Sequence, residues 1–445
     1  MPLDANTPLP QELDPSSKRW CSRSLLKSLV ALFSGTSARK GYLAALDQGV
    51  ISLTNFLATI ILARNVNPTE LGVYGVGFIA LRLARSFQEG ITVQPVNVLG
   101  AAMDQVTFKR YATSSGVIQL IWAAVSSLFV AIAGWVLTEL GNDTAGPALF
   151  SLWFAFLFWQ LQEYIRRMLY TRQAVIYAVI NTVVANAVRL TILLWWATQG
   201  KLSGTAGLDA IAWGALGALL PGLWSTHNYW TKNMFGLKET WKRNWGFGRW
   251  VLGGTIANWV AVEFYPILTA GMISFAAVGA YRALQNLVAP VHLLLRATDT
   301  FITPRAARLF QKNGQRALTR TLRLTYAVSI IPIMGLLTIV VIFPKPLLRL
   351  LYGDTYAGFS NGILLMATFY GLWYAYWPLQ SALKAARLSH PIFIANLAAI
   401  ITMFTIGIWA IHRWEVYGTI GGQALNALVV NIVLWKAWRA VKSKG

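Results

Sequence analysis

Charged side chains interrupt a long apolar stretch in the first quarter of the chain. Arg82, Arg85 and Glu89 lie within the run from Leu71 to about Gly100, and their i, i+3, i+7 spacing places them on one helix face, within ~60°. A charge at the centre of a membrane span costs ~2.5–3.5 kcal/mol on insertion scales, so such residues face partners or a wet cavity rather than lipid. The pattern predicts a polar site enclosed by helices.

A second group of charged residues occurs in the second half of the chain. Glu263 follows Asn258 within one apolar stretch, and the next stretch contains Arg282, Arg296 and Asp299. Arg282 and Arg296 are fourteen residues apart, so they share nearly one helix face. In the two groups together, four arginines oppose three carboxylates. Because a guanidinium binds phosphate oxygens in pairs, this excess of cations predicts an anionic ligand.

These residues have two predicted roles. Those predicted to bind the ligand are Arg82, Arg85, Arg282, Arg296, Asn55 and Asn258. Those predicted to couple transport to an ion, because an acid in a low-dielectric site can exchange a proton, are Glu263, Glu89, Asp47 and Asp299. The alternative is structural, since Arg85 with Glu89 and Arg296 with Asp299 have the spacing of ion pairs along a helix. His292 is predicted to pack as a hydrogen-bonding group rather than to titrate.

The composition identifies the class of protein that must position these residues. Of 445 residues, 56% are hydrophobic and 12% are charged, whereas a soluble chain has roughly 25% charged residues. Twelve stretches are long enough for a helical span of ~20 apolar residues. Their approximate limits are 42–63, 71–99, 116–138, 147–168, 174–197, 209–229, 250–274, 277–302, 324–343, 360–383, 391–411 and 417–437. The sequence thus predicts an all-α polytopic membrane protein with about 12 transmembrane helices.

The basic residues predict the orientation of these spans. With a cytoplasmic N-terminus, 28 of the 38 Lys and Arg residues fall in inner segments or at the cytoplasmic ends of spans, five fall in outer loops and five fall deeper inside spans. This bias follows the positive-inside rule and places both termini in the cytoplasm. The formal charge of +22 is therefore attributed to topology and to contact with anionic membrane lipids, and no nucleic-acid partner is predicted.

Short similarities between the two halves indicate an internal repeat. LGVY (71–74) opens the second predicted span, and VGAY (278–281) opens the eighth. Six spans in each half give both halves the same orientation, which predicts two six-helix lobes around a central cavity. The predicted division is a cytoplasmic tail with an interfacial amphipathic helix (1–40), an N-lobe (41–230), a cytoplasmic linker (231–249), and a C-lobe with a basic tail (250–445).

Three stretches resemble the polysaccharide (O-antigen-type) flippases of the multidrug/oligosaccharidyl-lipid/polysaccharide exporter superfamily. They are LAALDQGVISLTNFLATIILARNVNPTELGVYGVG (43–77), LLRLLYGDTYAGFSNGILLMA (347–367) and LKAARLSHPIFIANLAAI (383–400). The resemblance covers most of residues 41–437. It implies a flippase of the bacterial inner membrane that moves a polyprenyl-pyrophosphate-linked oligosaccharide to the outer leaflet by alternating access. Such a protein serves the biosynthesis of cell-surface polysaccharide such as lipopolysaccharide, with the polysaccharide assembly machinery as its implied partner.

The resemblance also implies where the ligand binds. In the family, arginines of spans 1, 2, 7 and 8 face the pyrophosphate. The first predicted span of this chain contains no arginine, so the second span is expected to supply the positive charge of the first lobe.

Other function classes have less support from the residues. The motifs HExxH, GxSxG, GxxxxGK[ST] and CxxC do not occur, so we predict neither an enzyme nor a metal or cofactor site. The alternative transporter is a MATE-like cation-coupled multidrug antiporter, a class that uses a buried acid in its first half, as Asp47 would be. A membrane glycosyltransferase or polymerase is the remote alternative, because large extramembrane loops are expected of it and no predicted loop exceeds about 25 residues.

Aromatic residues recur at a spacing of four in the tenth predicted span. They are Phe369, Trp373 and Trp377. Packing between helices is the predicted role of this stripe, and stacking on sugar rings is the alternative.

Overall fold

The structure, a computed structural model, describes residues 36–386, 388 and 390–442. Within these ranges nearly every residue is helical and none forms a β-strand, which confirms the predicted all-α class. The interfacial helix predicted within residues 1–40 lies outside the described residues, which begin at Thr36.

The first lobe is a helical bundle arranged around its fifth helix. It consists of α1 (Thr36–Asn65), α2 (Pro68–Gln88), α3 (Gln94–Leu99), α4 (Gln105–Glu139), α5 (Ala145–Thr171), α6 (Val175–Thr198) and α7 (Gly204–Thr226). A π-helical turn, Glu89–Val93, joins α2 to α3. Helix α5 packs against both α4 and α7, and α1 packs against α6.

The second lobe is also helical and has longer, interrupted helices. It consists of α8 (Leu237–Met272), α9 (Phe275–Leu287), α10 (Ala289–Ile342), α11 (Pro344–Tyr352), α12 (Gly362–Ala385), α13 (His390–Thr402) and α14 (Ile408–Lys442). Helix α12 packs against both α10 and α14. Glu415, with a φ of 49° and a ψ of −119°, kinks α14 close to its start.

Several of these helices have the length and composition of membrane spans. In the described ranges six stretches qualify, and a seventh qualifies if the arms Leu237–Ala257 and Trp259–Met272 of α8 count as one span bent by 45°. The chain is therefore a multi-pass helical membrane protein with two lobes. The count of about twelve spans stays a prediction, because helices such as α2 and α5 carry charged residues that lower their hydropathy.

Two polar connections between predicted spans are largely helical. Helix α8 begins at Leu237, inside the predicted connection 230–249, and α10 continues through the predicted connection 303–323. A polar segment between two apolar spans need not interrupt the helix. Residues 303–323 are rich in Ala, Arg, Leu and Gln, which are strong helix formers. The polarity of such a segment marks the end of an apolar span, and the helix itself continues.

The lobes meet at a close crossing of α2 and α9 that is repeated about a pseudo-twofold axis. A Cβ built on Gly72 would lie 1.7 Å from the carbonyl oxygen of Phe275, and one built on Gly279 would lie 2.0 Å from that of Pro68. Residues 68 and 275, like 72 and 279, are 207 positions apart, which is also the offset between LGVY and VGAY. We call this contact the glycine crossing.

Pro95 accounts for the π-helical turn at the other end of α2. A proline inside a helix cannot bond to the carbonyl four residues earlier, and local π adjustments accommodate it. That carbonyl, of Ile91, instead accepts a hydrogen bond of 3.1 Å from Asn244 Nδ2 of α8. Asn244 Oδ1 in turn accepts a bond of 2.6 Å from Tyr111 of α4. Helix α8 is thus tied to the first lobe at the end of α2 opposite to the glycine crossing.

Candidate functional site

Two adjoining cavities lie between the lobes. The larger has a volume of about 1080 Å³ and is lined by helices of both lobes. The smaller has a volume of about 160 Å³ and includes Gly75, so it lies nearer to the glycine crossing. Arg82, Glu263, His292 and Trp373 line both cavities. These four side chains therefore form part of the partition between the two.

Glu163 of α5 is the centre of a buried ion cluster in the first lobe. Its two carboxylate oxygens accept hydrogen bonds of 2.8 and 2.9 Å from Arg166, and Oε1 accepts one of 2.8 Å from Arg167. Arg85 Nη2 of α2 lies 3.1 Å from the same oxygen. On its other side, Arg166 contacts Asp47 of α1 at 2.5 Å. The cluster therefore connects α1, α2 and α5.

Glu89 completes this cluster at the start of the π-helical turn. Its Oε1 lies 3.5 Å from Arg85 Nε and 3.7 Å from Arg167 Nη2, and its Oε2 accepts a hydrogen bond of 2.9 Å from Gln94. Three arginines and three carboxylates thus neutralise one another, and the Arg166–Glu163 and Arg166–Asp47 pairs are almost fully buried. Removing one partner of a buried pair costs ~3–5 kcal/mol, so the arrangement favours the structural alternative for Arg85 and Glu89.

A separate ion pair joins the two lobes. Arg82 Nη1 of α2 lies 2.7 Å from Glu263 Oε1 of α8, and the Arg82 side chain is 40% exposed while that of Glu263 is 12% exposed. Because the pair is open to the cavities and crosses the lobe boundary, a ligand that enters the larger cavity can compete for it.

Arg189 of α6 faces the larger cavity and has only uncharged partners. It donates hydrogen bonds of 2.9 Å to Asn55 Oδ1 and of 2.5 Å to the hydroxyl of Tyr74. It is not ion-paired with any carboxylate that the structure describes, although its side chain is buried. Its charge is therefore not neutralised by an ion pair with any described carboxylate.

Arg282 of α9 likewise forms no ion pair with a described carboxylate, although Glu263 lines the same smaller cavity and interacts with it electrostatically. It donates a hydrogen bond of 2.7 Å to Gln285 Oε1 and one of 3.0 Å across the lobe boundary to the carbonyl of Gly75. A Cβ on Gly75 would lie 2.8 Å from Arg282 Cγ. Gly75 is the counterpart of Arg282 in the repeat, 207 positions earlier, so the absence of a side chain in one lobe makes room for the arginine of the other.

The site as a whole is formally cationic. Its described arginines are Arg82, Arg85, Arg166, Arg167, Arg189 and Arg282, and its described carboxylates are Asp47, Glu89, Glu163 and Glu263. Six cations against four anions leave an excess of two positive charges. Arg189 and Arg282 are the two that form no ion pair with a described carboxylate, and Glu263 is shared electrostatically between Arg82 and Arg282.

The structure brings most of the predicted site residues together. Arg82, Arg85, Arg282, Asn55, Glu89 and Glu263 all line one cavity or both, whereas Asp47 lies behind Arg166 and does not line either. The side chains of Asn258, Arg296 and Asp299 lie outside the described residues. His292 exchanges a hydrogen bond of 3.0 Å with the hydroxyl of Tyr370.

Several residues that the structure places in the site were not predicted from the sequence. They are Glu163, Arg166, Arg167 and Arg189. The i, i+3, i+4 spacing of the first three is typical of helix ion pairs, but both arginines were counted as topology charges. Arg189 lies inside the predicted span 174–197. A charged residue inside an apolar span is costly, so its position alone could have indicated a functional role.

The end of the bundle at which α1 terminates is closed by further contacts between the lobes. Arg64 Nε donates a hydrogen bond of 3.0 Å to the carbonyl of Leu351, and its Nη2 donates to that of Leu350, so its guanidinium caps the C-terminus of α11. Asn286 Nδ2 bonds to the carbonyl of Phe56 at 3.3 Å. Together with the glycine crossing, these contacts separate the cavities from this end.

Comparisons with known proteins identify a family for the chain and a set of solved structures with a similar fold. A family model described as a polysaccharide biosynthesis protein matches residues 61–361. The chain has no significant match among curated proteins. Among solved structures it is similar to an inward-facing multidrug resistance MATE family transporter of the MOP superfamily, with a TM-score of 0.73, 12% identity and coverage of 95% of this chain and 98% of that one.

Two further structures share the fold. An outward-facing multidrug resistance MATE family transporter of the MOP superfamily has a TM-score of 0.62 at 12% identity, with coverage of 91% of this chain and 96% of that one. The lipid II flippase MurJ, in an inward closed conformation, has a TM-score of 0.65 at 13% identity, with coverage of 89% and 87%. These likenesses confirm the two-lobed helical fold around a central cavity.

Proposed function

The chain belongs to the polysaccharide biosynthesis protein family, whose model matches more than half of its length, and from this premise we propose that it is a flippase for a polyprenyl-pyrophosphate-linked oligosaccharide. The observation that carries the proposal is the pair of arginines without carboxylate partners, Arg189 and Arg282, in cavities between the lobes. A pyrophosphate presents several anionic oxygens to such guanidinium groups.

The charge of the site supports an anionic substrate over a cationic one. A MATE-like antiporter for cationic drugs would need a carboxylate that is free to meet the drug. Asp47, Glu89, Glu163 and Glu263 are all engaged by arginines. The two cavities between the lobes would therefore repel cations and attract the head of a pyrophosphate lipid. The protein we propose is a transporter, with no chemical reaction of its own.

We propose the cellular arrangement from the charge bias of the sequence. The protein lies in the bacterial inner membrane with both termini in the cytoplasm, since 28 of 38 Lys and Arg residues then fall inside. The lobes correspond to residues 41–230 and 250–445, with the cytoplasmic tail 1–40 and the linker 231–249. Polysaccharide assembly proteins are the proposed partners, and anionic inner-leaflet lipids contact the basic segments.

In this orientation we propose that the larger cavity is reached from the cytoplasmic side, beside the contacts of α8 with the first lobe. The larger cavity includes Glu89, Gln94 and Arg167, which lie toward the ends of α2 and α5 that face the cytoplasm. At the end that would face the periplasm, the contacts of Arg64 with Leu351 and of Asn286 with Phe56 hold the two lobes together. We therefore propose that the substrate head enters from the cytoplasmic side, and that the lobes then rock to expose it on the other side, while the lipid tail stays in the bilayer.

We propose that Glu263 couples this motion to protons. Protonation of Glu263 would break its pair with Arg82, free the arginine for the pyrophosphate and release the two lobes. Substituting glutamine for Glu263 is therefore expected to make transport insensitive to a pH gradient, while binding of pyrophosphate lipid is retained because Arg82 stays free. Transport by the reconstituted variant, measured with and without a pH gradient, tests this expectation.

The matched control for Glu263→Gln is Glu239→Gln. Glu239 pairs with Arg243 at 3.7 Å outside the cavities, where both side chains are exposed, so its loss is worth ~1 kcal/mol or less. The control should keep the pH response of the wild type. A Glu263→Gln variant with the same pH response as the control would contradict the coupling role and leave a flippase without proton coupling at this residue.

The flippase proposal itself is tested in liposomes. Purified protein should move a polyprenyl-pyrophosphate oligosaccharide between leaflets, inorganic pyrophosphate should compete, and high salt should weaken binding, since screening shortens the reach of charges in a wet cavity. Ethidium should be neither exported nor competitive. Ethidium export that is unaffected by the lipid-linked sugar would refute the proposal and establish a drug antiporter.

A further inference from the structure

The walls of the larger cavity differ in chemical character. The first lobe supplies Arg85, Glu89, Glu163, Arg167 and Arg189. The part of the second lobe from α10 to α14 supplies no Asp, Glu, Lys or Arg to the lining among the side chains that the structure describes. It supplies aromatic rings and amides instead. One wall therefore suits a charged group, and the facing wall suits a neutral polar one.

The aromatic rings form a continuous stripe on α12. Phe369 and Trp373 are stacked with centroids 5.7 Å apart and an interplanar angle of 25°, and Trp377 meets Trp373 edge-on at 5.7 Å. Tyr376 and Gln380 extend the same cavity face. From residue 369 to 380 the stripe is roughly 16 Å long at 1.5 Å per residue. It is therefore long enough to contact more than one ring of a ligand.

Two amides beside this stripe are available for hydrogen bonding. Gln380 of α12 and Asn396 of α13 both line the cavity and are partly buried, and neither side chain has a hydrogen-bond partner among the described residues. By contrast, the amides of Gln423 and Asn426 are held by the carbonyls of Val262 and Ala261. An amide offers two donors and an acceptor, which match hydroxyl groups.

We propose that this wall of α12 and α13 is the binding site for the sugar portion of the substrate. A sugar ring has an apolar face of C–H groups that lies flat on an aromatic ring, and hydroxyls at its rim that bond to amides. The prenyl tail is a poorer match, because a hydrocarbon would leave Gln380 and Asn396 unsatisfied, which costs ~1–3 kcal/mol for each buried polar group. The proposal rests on the proposed flippase function and adds that recognition has two parts, with pyrophosphate on the arginines and glycan on α12 and α13.

Binding of two lipids to the purified full-length protein tests this proposal. The first is the lipid-linked oligosaccharide that accumulates in cells lacking the gene, and the second is undecaprenyl pyrophosphate without sugar. The wild type should bind the glycosylated lipid at least about tenfold more tightly, which corresponds to ~1.4 kcal/mol. Trp377→Leu and Gln380→Ala should each reduce this preference several-fold, with little change in affinity for the bare lipid.

The control is Trp409→Leu, because Trp409 lies on α14, is 57% exposed and does not line a cavity. It should keep the preference of the wild type. Equal affinity of the wild type for the two lipids, or an unchanged preference in Gln380→Ala, would overturn the sugar site while the flippase proposal stands. If the wild type binds neither lipid, the proposed function itself fails. If Trp377→Leu binds neither lipid because it misfolds, the result for Gln380→Ala decides whether the sugar site exists. That substitution is a smaller change at a partly exposed position.

Discussion

Alanine at Arg189 or Arg282 is expected to reduce the affinity for undecaprenyl pyrophosphate by about 10- to 100-fold, and transport with it. Hydrogen bonds to a charged group are worth ~1.5–3 kcal/mol, and 1.4 kcal/mol corresponds to a factor of ten. These two arginines form no ion pair, since their hydrogen-bond partners among the described residues are Asn55, Tyr74, Gln285 and a carbonyl. Equilibrium binding to detergent-solubilised protein measures the effect directly.

Comparing Arg85→Ala with Arg189→Ala distinguishes two proposed pyrophosphate sites. One is centred on Arg189 and Arg282, and the other is the charged face of α2 that helical spacing alone predicts. Arg85 is paired with Glu89 and Glu163, so Arg85→Ala should affect binding less than Arg189→Ala does. Lysine at position 189 should restore affinity only in part, because it keeps the charge but lacks the planar fork. Arg349→Ala is the control, since Arg349 pairs with Asp354 on an exposed segment. Loss of binding in Arg85→Ala with normal binding in Arg189→Ala would refute the assignment.

Spacing along one helix predicted part of this site and could predict no more. The charged face of α2 and the Arg85–Glu89 contact follow from positions three and four residues apart. The bonds of Arg189 to Asn55 and Tyr74 join α6 to α1 and α2, and no periodicity within one helix contains that information. For the same reason, the central role of Glu163 depends on the packing of α5 against α1 and α2.

The fold could be predicted from the sequence more completely than the site could, for a physical reason. A membrane imposes a length and an apolar composition on each span, and these are visible in the sequence as runs. The halves of the repeat keep the small residues that a close crossing requires, as at Gly72 and Gly279. The ends of the helices were harder to predict from the sequence. A polar segment such as the middle of α10 ends the apolar run, but the helix continues through it.

Alanine at Gly72 is expected to open the end of the protein that we propose to face the periplasm. Its Cβ would lie 1.7 Å from the carbonyl oxygen of Phe275, and a backbone oxygen cannot move away without separating α2 from α9. Overpacking of this kind costs ~1–3 kcal/mol, which changes the ratio of closed to open molecules by about 5- to 150-fold. Because the crossing has pseudo-twofold symmetry, Gly279→Ala should have the same effect through Pro68.

The measurement is the rate at which an impermeant thiol reagent, added from outside, labels a single cysteine at Thr59, which lines the smaller cavity. The native cysteine, Cys21, is replaced by serine. Labelling should rise in Gly72→Ala and Gly279→Ala and stay at the parental rate in Gly271→Ala, since a Cβ at Gly271 meets nothing within 4 Å. Transport should fall in the first two, because a protein held open to the outside cannot accept substrate from the cytoplasm. Equal labelling in all three variants would show that the glycine crossing does not close the periplasmic end.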